Sequence, residues 1–199
     1  MNLSLHESRR WIDFTILNMN GVSFEASDRA NLSVSLQHLS IDHHRAIHTL
    51  VENGLDGPAF ALLRLQFESY VRGIWFRCCA TEKAISKFRS TSKVKAIDDL
   101  ISDIEKVESF KNGALGKTKA KIWTTLCDFS HGGIKQLSYR NADGGVQSRY
   151  KTEDVKAILF DSLSISFLST LEIAVVANDS NLSKNLVINF QKIDTKIFK

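Results

Sequence analysis

A single proline, Pro58, punctuates a chain of 199 residues, and only ten glycines accompany it. Proline and glycine break helices and build tight turns, so a chain this poor in them favours long helices over a many-turned β-sandwich. The apolar residues agree: Leu32, Leu36, Leu39, Ala46, Ile47 and Leu50 recur at helical spacing after Ser27, and Gly54 stops the run. This spacing predicts a first helix over about 5–17, a second from after Ser27 to about Asn53, and a third from Pro58 to about Ala80. Thr81 caps a short fourth helix ending near Arg89. A fifth is expected over 93–110, a sixth over 115–130, a seventh over 152–177 opened by Thr152 and the acids Glu153 and Asp154, and a last over 183–198. Between Gly132-Gly133 and Gly144-Gly145 the alternation of Leu137, Tyr139, Val146 and Gln147 fits a loose hairpin or a long ordered loop. The expected fold is all-α: one domain over 1–199, a bundle of six to eight helices with a long loop or small hairpin near 132–151.

A 43% hydrophobic content beside 24% charged residues is that of a globular chain and excludes wholesale disorder. Lysine and arginine (26) exceed aspartate and glutamate (22) by four, a mild excess that falls short of a dedicated nucleic-acid binder. The excess is uneven. Residues 1–60 carry four basic against seven acidic side chains, whereas Lys83, Lys87, Arg89, Lys93 and Lys95 form one basic run and Lys111, Lys117, Lys119 and Lys121 another. Such runs are solvated helix faces or, functionally, a modest phosphate-binding surface. Cys78, Cys79 and Cys127 make neither a disulfide framework nor a zinc pattern, and read as buried reduced thiols. Glu7, Arg9, Arg10 and Asp13 leave no apolar signal-peptide core, and Lys156, Asp161 and Glu172 interrupt the most apolar stretch, 155–177. A cytoplasmic protein with no membrane partner is expected.

The chemistry concentrates in the third helix. Arg64, Glu68 and Arg72 recur four residues apart and so share one stripe of a helix that is apolar on nearly every side. Charges on a buried stripe must pair, and Glu68 can meet both arginines and leave a net positive site. The stripe is either a structural ion network or an anion-binding or catalytic site. On the second helix, His44 and His48 share a face; no HExxH pattern completes a metal site, and His44 is better placed as a partner for the third-helix charges. His131 ends the sixth helix just before Gly132, where it is either a C-cap or an acid/base group oriented by Asp128 one turn earlier. No cofactor is implied. Gly113-Ala-Leu-Gly116-Lys117-Thr118 imitates the end of a P-loop, but Lys111 stands where the motif needs glycine, and neither G-x-S-x-G nor G-x-G-x-x-G occurs.

The stretches 42–47 (Asp-His-His-Arg-Ala-Ile), 57–64 (Gly-Pro-Ala-Phe-Ala-Leu-Leu-Arg), 67–75 (Phe-Glu-Ser-Tyr-Val-Arg-Gly-Ile-Trp) and 127–133 (Cys-Asp-Phe-Ser-His-Gly-Gly) resemble a family of uncharacterised bacterial proteins. The likeness runs from about residue 30 to Ala177-Asn178-Asp179, with Pro58 standing where that family usually has serine. More distantly the chain resembles the all-helical proteins related to abortive infection and HEPN-type ribonucleases. It lacks their arginine four to six residues ahead of a histidine. The resemblance implies a helical fold and suggests RNA. The functional expectation is a pocket for RNA or a nucleotide in which Arg64, Arg72, His44 and Asp128 bind and Glu68 and His131 act as catalysts. The alternative is a non-enzymatic interaction module, open to homodimerisation, whose buried charges fix helix register.

Overall fold

The computed structural model describes residues 1–93, 95–142 and 144–198. Helix dominates as the spacing requires: α1 (Asn2–Met19), α2 (Asp28–Glu52), α3 (Asp56–Cys78), α4 (Glu82–Thr91), α5 (Ile97–Ile104), α6 (Ala114–Ser130), α7 (Ile134–Ser138), α8 (Thr152–Val176) and α9 (Ser180–Gln191). Side-chain caps set three starts: Ser27 accepts from the Ala30 N–H, Thr81 from that of Ala84, and Asp179 from that of Leu182. Of the glycine-flanked stretch after α6, the five residues of α7 are helical. Beyond them, Asn141–Ala142 and Gly145–Val146 form a two-residue antiparallel ribbon, so the small hairpin exists in reduced form.

The fifth helix is shorter than periodicity suggests, with α5 ending at Ile104 and one 3-10 turn following at Glu108–Phe110. The cause is Glu105, whose Oε1 accepts the Gly116 N–H at 2.7 Å. A carboxylate drawn off to the exposed amides and positive dipole end of α6 cannot stay on a continuing helix face. The same contact places the Glu105 carboxylate at the amide end of Gly113–Thr118, where a P-loop would hold phosphate.

α3 packs against α2 and α8 and, elsewhere along its circumference, against α5 and α6, while α1 and α9 cover α8. Leu63, Phe67, Ile74 and Phe76 of α3 are fully buried in the core, as are Ile47 of α2 and Leu159 and Leu163 of α8. α8 contains an 18-residue window of mean hydropathy 1.6, enough by length and composition to cross a membrane, but 61% of that window is buried inside the bundle. Its Glu172 is tied to Arg77 of α3 through an Nε–H to Oε2 bond of 2.7 Å.

The interface of α2 with α3 and α8 is a polar seam. Ser33, Gln37, Ser40, His44 and His48 fall on one stripe of α2, and all five are buried. Three of them donate to backbone carbonyls of α3: Ser33 to Gly73 (2.9 Å), Gln37 to Tyr70 (3.2 Å) and Ser40 to Gln66 (3.2 Å). Such bonds need the two backbones close together. Gly73 provides this, since a Cβ there would lie 2.4 Å from Gln37 Nε2. From α8, Ser169 donates to Ser40 (2.9 Å), and from α1 the Trp11 indole donates to Ser166 (3.1 Å).

Candidate functional site

Arg64, Glu68 and His131 converge. The Arg64 Nε–H donates to Glu68 Oε1 (2.9 Å), Arg72 Nη2 donates to Glu68 Oε2 (2.8 Å), and Arg64 Nη1 lies 2.6 Å from His131 Nε2. Arginine is always a donor, so His131 Nε2 accepts and the neutral ring carries its proton on Nδ1. The Arg64 guanidinium also sits 4.9 Å over the Trp123 ring, and the Lys119 ammonium approaches the same ring at 4.9 Å while bonding Asp98. Glu68 is the most enclosed member, its side chain 13% exposed against 20% for Arg64 and 38% for Arg72. The stripe is therefore half-buried at the surface of α3 rather than sealed in the core.

Arg64, Glu68 and His131 form one end of an open groove of about 580 Å³ between α3 and the end of α6, with Arg72 and Trp123 beside it rather than in its lining. Its other wall is apolar, made by Pro58, Ala61, Leu62 and Leu65, and Ser130 completes the polar end beside His131. The corner after α6 places His131 there. Gly132 takes a φ of +66°, a conformation that disfavours a side chain, and ends the helix immediately after the histidine. Gly133 follows so close to Asp128 that a Cβ would lie 2.0 Å from its Oδ1.

Asp128 does not orient His131. Its backbone carbonyl accepts the Gly133 N–H (2.8 Å) and its Oδ2 accepts that of Gln136 (3.1 Å), so it caps α7 and locks the corner. His44 does not reach the α3 charges either. It is fully buried in the polar seam, with Nδ1 2.9 Å from the Ser162 hydroxyl and Nε2 3.4 Å from that of Ser8. The physical reason is rotational: His44 shares the stripe of α2 that faces Gln66 and α8, whereas Arg64 and Glu68 face α6. Gln66 fixes the proton order along the seam. Its Nε2 donates to the Ser162 carbonyl, so its Oε1 must accept the Ser162 hydroxyl proton, and His44 Nδ1–H donates to Ser162 Oγ. Burial pushes the His44 pKa down to about 3, with His48 acting in the same direction, and burial also lowers that of His48.

His44 and His48 are thus engaged with serine hydroxyls rather than sharing a metal, His48 Nδ1 lying 2.9 Å from Ser8. Among the described residues no group of three or more His, Cys, Asp or Glu side chains could hold a metal ion. The three cysteines are free and half-buried, and burial raises the thiols of Cys78 and Cys79, the latter to about 11, which keeps them protonated and unreactive. Sequence reasoning passed over Trp123 and read Lys119 only as part of a basic run, although their i, i+4 spacing on α6 places an ammonium beside an aromatic ring. It also passed over the Arg77–Glu172 pair, signalled by a lone acid in the apolar second half of α8.

No curated protein and no solved structure matches this chain. One family model does, over residues 37–194, a span that contains Arg64, Glu68, Arg72, Trp123 and His131 and leaves α1 outside. On that match the chain belongs to DUF6988, a family of unknown function.

Proposed function

We propose that the groove of α3 and α6 binds RNA or a nucleotide in the cytoplasm, with phosphate held by Arg64 and Arg72. The observation that carries this reading is Arg64 itself, which joins Glu68, His131 and Trp123 at the mouth of a groove with an apolar wall. Two arginines and one carboxylate leave one positive charge, and a phosphate arriving at the groove competes with Glu68 for the guanidinium donors. The base would lie against Ala61, Leu62 and Leu65. Where the ligand is cleaved, one of Glu68 and His131 takes the proton of the attacking hydroxyl, and the other, entering the step protonated, gives its proton to the leaving oxygen, so that the two exchange protonation states over the step. The resemblance to abortive-infection proteins suggests a defence-type setting.

The test is incubation of labelled total RNA with wild-type protein and with folded Glu68→Gln and His131→Ala variants, beside RNA-binding measurements on Arg72→Ala. Cleavage that both variants lose supports the catalytic half. Unchanged RNA affinity in Arg72→Ala removes the binding half.

A second reading is favoured by a specific observation: both oxygens of Glu68 are already taken by arginines of its own helix. On that reading the stripe is architecture in a non-enzymatic interaction module, which could act as a homodimer. It expects Glu68→Gln to melt at distinctly lower temperature while no RNA or nucleotide binds.

A further inference from the structure

The basic run over 83–95 takes no part in the groove, yet it borders a second depression. This pocket of about 280 Å³ is floored by Trp75, Ala84 and Phe88 and rimmed by Lys87, Lys93 and Lys95. The floor is fixed in advance. Trp75 is 4% exposed, its indole N–H donates to Asp103 Oδ2 at 3.0 Å, and both Trp75 and Phe88 pack on the fully buried Phe76, with ring centroids 5.2 and 4.9 Å apart. One rim cation is fixed too, since Lys95 bonds the same Asp103 oxygen at 2.6 Å and stands 5.8 Å over the Trp75 ring. The other two are exposed, and no described carboxylate pairs with either Lys87 or Lys93. Two uncompensated ammonium groups over a rigid aromatic floor are the complement of a flat apolar body bearing negative charge.

We propose that this pocket is a binding site for a small aromatic anion, a single carboxylate, sulfonate or phosphate group on a one- or two-ring body. The rings lie against Trp75 and Phe88, and the charged group meets Lys87 and Lys93, with Lys95 held at the rim by Asp103. The size sets the class: the pocket is just under the roughly 300–1,000 Å³ of sites for drug-sized molecules, so it takes a compact ligand. Neither half of such a ligand suffices. A neutral ring gains nothing from the ammonium groups, and an inorganic anion gains nothing from the apolar floor. The site is independent of the groove, because Trp75 lies about two turns along α3 from Glu68.

The probe is naphthalene-2-sulfonate, titrated into the full chain at low salt and followed by tryptophan emission and ligand NMR. Wild-type protein should bind it saturably, and a Lys87→Gln/Lys93→Gln double variant, altered only at exposed positions, should bind about tenfold more weakly. Arg64→Ala should bind it as the wild type does. The proposal is overturned if the wild type shows no saturable binding at millimolar probe, or if the double variant binds unchanged. It is equally overturned if neutral 2-naphthylmethanol or inorganic sulfate binds as well as the probe, or if Arg64→Ala abolishes binding and so moves the probe to the groove.

Discussion

Acid should destabilise this protein through His44, and the size of the effect follows from its surroundings. The ring is fully buried, neutral and hydrogen-bonded on both nitrogens, and burial holds its pKa near 3 against an ordinary 6.5. In the unfolded chain the same imidazole takes a proton as the pH falls through 6.5, while in the folded chain it does not. Stability is therefore complete above about pH 6.5 and declines below it by about 1.4 kcal/mol per pH unit until the native ring titrates. At pH 5 the loss is about 2 kcal/mol. That figure depends almost entirely on the unfolded pKa, because any native value well below 5 gives the same result.

Urea unfolding at pH 7 and pH 5, on wild-type protein and His44→Gln, isolates the term. The glutamine keeps a donor and an acceptor for Ser162 and Ser8 but has no proton to gain. Carboxylates and His48 titrate in both proteins and cancel in the comparison, so the variant should lose about 2 kcal/mol less between the two pH values than the wild type does. At an m-value of roughly 2 kcal/mol per molar urea, this is a difference of about 1 M in midpoint shift. Equal losses in the two proteins would refute the argument, since the native ring would then be accepting protons as readily as the unfolded one.

Other perturbations test other parts of the fold. Gly73→Ala gains about 1 kcal/mol of helix propensity, yet its Cβ lands 2.4 Å from Gln37 Nε2 in a sealed seam. A net loss of about 2 kcal/mol, or roughly 4–8 °C in Tm, is expected, and a Gln37→Ala second change should relieve much of it. Glu172→Ala leaves Arg77 mostly buried without its partner and should cost about 3 kcal/mol by chemical denaturation, with Glu172→Gln costing less. Gly133→Ala drives the Asp128 carboxylate off the Gln136 N–H. NMR of the His131 ring should then report loss of its contact with Arg64, while α3 keeps the Arg64–Glu68–Arg72 ladder.

The parts of the fold that were legible in the sequence are those that local chemistry decides. Pro58, Gly54 and the caps Ser27 and Thr81 bound helices whose apolar spacing is plain, whereas the last helix, expected over 183–198, starts earlier at its Asp179 cap and ends at Gln191; the four-residue recurrence of Arg64, Glu68 and Arg72 guarantees their pairing on one helix. What could not be read is rotation, the choice of which neighbour each helix face meets. His44 and Glu68 are both polar residues in apolar helices, and nothing local says that one turns toward α8 and the other toward α6. The end of α5 failed for a related reason: Glu105 leaves its helix for an amide eleven residues away, a contact that periodicity does not contain.

Rotation also explains why α3 can support two chemistries at once. Toward α2 and α8 it offers backbone carbonyls and Gln66, which are satisfied by serine and glutamine side chains, and near its C-terminal end Arg77 pairs with Glu172 of α8. A seam of neutral hydrogen bonds demands one register: sliding α2 by a single turn would bury several unpaired hydroxyls, each costing about 1–3 kcal/mol. Toward α6 the same helix carries Arg64, Glu68 and Arg72, whose pairing lies within α3 and tolerates neighbours that shift. The neutral seam can therefore set the register of the bundle by itself, and any contribution of the charges is what the melting of Glu68→Gln reads. Groups that are half-exposed and gathered at a groove are the ones a ligand can reach, and this asymmetry between the two faces of α3 is the physical ground for the binding proposed at the stripe that meets His131.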